Sequence, residues 1–145
     1  FDQLYAINED GALIAPISPK ELGGLPVISG IPKALFYQKD KNDIGPYLAR
    51  LGLEVAALYE AMGLGELASL SEVYVPETGY VELTLGEMRV VVGRAHFKRH
   101  FHNLKEVLRS LKRKGLSAQY VLLSPNFNRA IVRETSASAL GESKP

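Results

Sequence analysis

Three histidines, His96, His100 and His102, come nearest to a reactive constellation in this chain. His96 and His100 stand at i and i+4, so on a helix they share one side, as zinc ligands do. No glutamate follows His96 in the metalloprotease manner, and no carboxylate lies close to it in sequence. A tetrahedral metal would need further ligands from elsewhere in the fold. The expectation is a solvated helix shoulder beside Phe97 and Phe101, with no metal and no cofactor. With no cysteine, thiolate sites and disulfides are excluded.

Nucleophilic chemistry finds no support either. There is no Gly-x-Ser-x-Gly, and three residues after Ser110 comes Arg113 rather than lysine. Gly93-Arg94 is too short to cradle a phosphate, and the carboxylates are scattered singly. The chain is therefore read as a non-enzyme. Its 145 residues, 46% hydrophobic and 23% charged, suffice for one cored domain.

Charge is informative in its distribution. Residues 1–93 carry 13 acids and 6 bases, a balance of −7, whereas residues 94–114 carry 8 bases against Glu106 alone, a balance of +7. The net charge of +1 hides a basic amphipathic segment on an acidic body. Such a segment could meet an anionic surface or nucleic acid, and residues 94–114 carry that alternative function. It could equally be a solvated face whose Arg109 to Lys114 end complements the helix macrodipole.

The elements that must position these residues follow from hydrophobic period. Leu4 to Ile7 and Ala12 to Ala15 flank the turn Asn8-Glu9-Asp10-Gly11 and predict a hairpin. Leu25 to Ile28 reads as an extended piece packed on a core, and Lys39 to Asp43 as a charged loop. Gly45-Pro46 opens a helix whose apolar face is Leu48, Leu51, Val55, Leu58 and Met62, stopped by Gly63. Glu72 to Val75, Tyr80 to Leu85 and Met88 to Val92 predict an antiparallel meander. A second helix runs from about Ala95 to Lys114 on Phe97, Phe101, Leu104, Leu108 and Leu111. Ala118 to Leu123 and Asn128 to Glu134 close the chain as strands around Ser124 to Phe127. The fold class is α+β, a mixed, largely antiparallel sheet with two helices on one face. Residues 1–134 form the domain, and 135–145 read as a disordered tail.

The last strand, Asn128 to Arg133, lies near the chain end, where strands commonly form sheet edges. Such an edge offers unpaired backbone to a partner, and Arg129 and Arg133 guard it against indiscriminate pairing. No apolar stretch is long enough to span a bilayer. The chain opens at Phe1 directly in strand-like sequence and reads as an excised or processed fragment.

Four segments in this order resemble the extracytoplasmic β-domain of the FtsQ/DivIB bacterial cell-division family. They are Ala6 to Ile14 around an acidic-Asp-Gly turn, Leu25 to Ile31, Leu70 to Val73 with the hairpin running to Gly93-Arg94, and Tyr120 to Leu123 followed by Asn128 to Arg133. The sequence departs from the family pattern at Leu122, usually acidic, and in the longer turn Ser124 to Phe127. The resemblance implies a non-catalytic divisome scaffold anchored in the inner membrane by one transmembrane helix, with a POTRA domain before this one and both outside the cytoplasm. It implies partners of the FtsB/DivIC and FtsL type, with no nucleic acid and no small-molecule substrate. It further implies that a partner strand adds at the last strand, giving Pro125, Asn126, Phe127, Asn128, Arg129, Ala130, Ile131, Val132 and Arg133 as the docking residues.

Overall fold

The computed structural model describes residues 3–37, 43–123 and 130–135. The polypeptide forms β1 (Leu4–Ile7), β2 (Leu13–Ile17), β3 (Val27–Ser29), α1 (Ile44–Ala61), β4 (Glu72–Tyr74), β5 (Val81–Leu85), β6 (Met88–Gly93), α2 (Phe97–Lys114), β7 (Ser117–Leu123) and β8 (Ala130–Thr135). β1 and β2 make a separate antiparallel pair. The other strands form one sheet in the order β3-β4-β5-β6-β7-β8.

Strand directions explain the layering. β4, β5 and β6 form the expected meander, while β3 pairs parallel with β4 and β6 parallel with β7. A parallel neighbour cannot be reached by a tight turn, so each parallel pair has a helix in its connection: α1 between β3 and β4, α2 between β6 and β7. β4 and β6 run the same way, and both crossovers step in the same direction across the sheet. Two right-handed crossovers of that kind place their helices on the same face. α1 and α2 are accordingly in contact, and Tyr59 meets Phe101 edge to face with ring centroids 5.8 Å apart.

The core lies between that helix pair and the sheet. Val73, Val81, Leu83, Leu85, Val90, Val92, Val121 and Leu123 point into it from the strands, against Val55, Tyr59, Phe101, Leu104 and Leu108 from the helices. Gly52 lets α1 approach the sheet closely: a Cβ there would stand 2.8 Å from Ile28 Cγ2 on β3. The Tyr59 hydroxyl donates to the Ala68 carbonyl at 2.5 Å, so its one polar atom is satisfied in an apolar setting. Burial pushes that phenol's pKa upward.

The hairpin is fastened to the start of α1. The Asn8 side-chain oxygen accepts from the Asp10 and Ala12 amides, closing an Asx turn. Gly11 then passes so near Pro46 that a Cβ would overlap its carbonyl oxygen, and Arg50 donates to the Asp10 carbonyl at 3.0 Å.

Three expectations change. The second helix begins at Phe97 rather than about Ala95, because His96 takes a left-handed conformation (φ 60°) and its carbonyl accepts the first helical bond from His100. Leu25 to Ile28 is expected only as an extended piece; Val27–Ser29 is an edge strand of the main sheet. His100 is not on a solvated shoulder: it is 4% exposed, turned inward with the Phe101 and Leu104 side of α2. Of the expected charged loop, Lys39 to Asn42 lie outside the described residues, as does the tail from Ser136 onward.

Candidate partner-docking edge

β8 pairs antiparallel with β7 and has no neighbour on its other side among the described residues. Its register sets Tyr120 opposite Arg133, Val121 opposite Val132, Leu122 opposite Ile131 and Leu123 opposite Ala130. Because side chains alternate across a strand, Ala130 and Val132 turn to the core and Ile131 and Arg133 to the other face. The burial agrees: Ala130 and Val132 pack on the core cluster, while Ile131 is 55% exposed and Arg133 exposed. An irregularity between Ala118 and Tyr120 shifts the register at the far end of the pair.

The face bearing Ile131 and Arg133 is the one without helices, and the strand registers organise it into two rows. One runs Tyr74, Glu82, Val91, Leu122, Ile131; the other runs Glu72, Thr84, Arg89, Tyr120, Arg133. The first turns from polar to apolar on approaching β8. The second alternates charged and polar groups along its length. Arg89 pairs with Glu82 across β5 and β6, and the Ser29 hydroxyl donates to the Glu72 carboxylate. These contacts occupy the carboxylates at the β3 end and leave the β8 end apolar and basic. A shallow depression lined by Glu72, Tyr74, Glu82, Thr84 and Arg89 opens on the same face.

The sequence-selected residues divide accordingly. Ala130, Ile131, Val132 and Arg133 are on the edge strand as expected, two facing in and two out. Pro125, Asn126, Phe127, Asn128 and Arg129 lie outside the described residues. Val91, Tyr120 and Leu122 share the open face with Ile131 and Arg133, and the sequence reading does not select them. The available signal is the period-2 alternation of Ala118 to Leu123, whose outward members are Tyr120 and Leu122.

The histidine cluster does not assemble. His96 is exposed at the α2 cap, His100 is buried and His102 is exposed. Among the described residues no group of three or more histidines, aspartates or glutamates is placed to hold a metal. Burial, with the neighbouring His96 and Arg99, pushes the His100 pKa below its usual value. No helix among the described residues is long and apolar enough to cross a membrane.

No curated protein matches the chain. The family described as cell division protein FtsQ/DivIB, C-terminal, matches residues 2–123, from the hairpin through the last residue of β7. β8 follows the matched segment. The match covers most of the chain, and the α+β architecture has the layering the order of elements in the sequence implied. The chain belongs to the FtsQ/DivIB family of cell-division proteins.

Proposed function

We propose that this domain is a non-enzymatic divisome scaffold that captures a division partner by strand addition at β8. The observation that carries the reading is the side of β8 left unpaired among the described residues, at the end of a six-stranded sheet whose opposite edge, β3, is only three residues long. Backbone pairing supplies affinity and the side chains beside the edge supply selection. Family membership supports a role in cell division. The partner is of the FtsB/DivIC type, acting with an FtsL-type protein. The whole protein is held in the inner membrane by a single span, with this domain on the extracytoplasmic side.

The two rows of the open face specify what the incoming strand should carry. Cross-strand neighbours are the unit of sheet stabilisation. A strand added to β8 continues the Val91–Leu122–Ile131 row with an apolar residue. Two positions along, it continues the Arg89–Tyr120–Arg133 row with an acidic residue. The test is calorimetric titration of the domain with the extracytoplasmic segment of the cognate FtsB/DivIC-type protein, for the native chain and for Ile131→Pro. Ile131 is exposed, so the substitution perturbs the edge without opening the core. Loss of binding with a retained melting transition supports strand addition, and unchanged binding by a folded variant refutes it.

A further inference from the structure

A second surface, independent of β8, is built on α2. Lys98, His102, Lys105, Arg109 and Lys112 follow one another at spacings of 4, 3, 4 and 3 residues, with Arg113 beside the last. Those spacings hold a single line on a helix, here about 21 Å long at 1.5 Å per residue. The apolar side of α2 is occupied by the core through Phe101, Leu104, Leu108 and Leu111, so the line, with Lys98, Lys105, Arg109 and Lys112 as its cations, lies on the other side of the helix. Lys98, His102, Arg109, Lys112 and Arg113 are exposed. Lys105 lies lower and donates its Nζ to the Met62 carbonyl at 2.8 Å, fixing the end of α1 against the middle of α2.

The surroundings of the line restrict what can sit on it. Glu60 and Glu66, both exposed, bracket in sequence the Met62 whose carbonyl Lys105 grips. Glu106 reaches Arg109 at 3.7 Å. A broad anionic plane such as a phospholipid surface would press its charge against these carboxylates as well as the cations. A narrow anionic ridge would meet the cations alone. The apolar side of α2 is spent on the core, so it has nothing to insert into a bilayer. The mean advance between residues of the line, about 5.3 Å, is that of residues repeating every 3.5 positions on a second helix lying alongside.

We propose that the outward face of α2 docks an acidic α-helix of a partner protein, whose carboxylates repeat at alternating spacings of three and four residues. Opposed charges on adjacent helices set partner choice and alignment more than raw strength. The surface complements the edge at β8 and uses none of its residues.

The test uses the native 145-residue chain and two synthetic helical peptides of identical composition. In one the glutamates form a single stripe at the 4-3-4-3 spacing; in the other they are spread around all faces. Binding is followed by fluorescence anisotropy at physiological and raised salt. The striped peptide should bind about tenfold or more tightly than the spread one, and raised salt should weaken it. The triple variant Lys98→Glu, Arg109→Glu, Lys112→Glu should abolish the difference while keeping the native melting transition. The peptide comparison on the native chain decides the matter even if that variant misfolds. Equal affinity for the two peptides overturns the proposal. So does tighter binding to vesicles rich in phosphatidylglycerol, or to a single-stranded oligonucleotide, than to the striped peptide.

Discussion

Leu122 on β7 and Ile131 on β8 are cross-strand partners on the face of the sheet that carries no helix. Their pairing places an apolar step beside the unpaired edge, in line with Val91 on β6. Ile131 is 55% exposed in that position. A strand laid along β8 would cover it.

Replacing Ile131 by lysine should therefore separate binding from folding. Surface changes of this kind alter stability by about 0.5 kcal/mol or less. Denaturant melts of Ile131→Lys are expected to overlay those of the native chain. Affinity for the FtsB/DivIC-type segment should fall. A large loss of stability would show that Ile131 serves the core instead.

Arg133 provides a finer test in the second row. Exposed opposite-charge pairs contribute about 0.2–1 kcal/mol. Arg133→Glu should weaken partner binding only a fewfold. Exchanging an acidic residue of the partner for lysine should restore that loss, as read by a double-mutant cycle. Additive losses with no restoration would remove Arg133 from the contact.

The close approach of α1 to β3 yields a prediction about stability. Gly52→Ala puts a methyl against the Ile28 side chain, and overpacking of this sort costs about 1–3 kcal/mol. Truncating Ile28 to alanine removes the obstructing atoms. Chemical denaturation of the double variant should show a smaller loss than the sum of the singles. Strict additivity would mean that the helix shifts to absorb the clash.

His100 makes stability depend on pH. Its folded pKa lies below the ordinary histidine value of about 6.5, because burial disfavours the charged ring and His96 and Arg99 add like charge. Between the folded and unfolded values the unfolded chain binds more protons. The contribution of His100 is thus fully present above pH about 6.5 and is lost as pH falls through the folded value. Melting temperature is expected to drop on acidification over that window, and His100→Leu should flatten the drop. An unchanged slope in the variant would place the titration elsewhere.

How much of this is legible in the sequence varies with the range of the causes. The 3.6-residue period of Leu48 to Leu58 and of Phe97 to Leu111 announces both helices, since each buries one face in the core. The β4–β6 meander is equally plain, because its turns are local and Val81, Leu83 and Leu85 alternate with polar residues. What is not local is less visible. The parallel pairing of Val27–Ser29 with β4 depends on a crossover through all of α1, which no short window contains. The inward turn of His100 follows from its place three residues after Phe97 and four before Leu104, which puts it at the border of the apolar stripe, where the residue type alone suggests solvent. At the candidate site, strand and exposure near Ile131 are readable. The contributions of Val91, Tyr120 and Leu122 to the same face depend on register across three strands.

The most direct measurement is amide hydrogen exchange on β8, with and without the FtsB/DivIC-type segment. Strand addition predicts that alternate amides of residues 130–135, those pointing away from β7, exchange freely in the unbound domain and become protected on binding. The helix amides of α1 should be unchanged. Binding that leaves β8 exchange unaltered, or that protects α2 alone, would contradict the account.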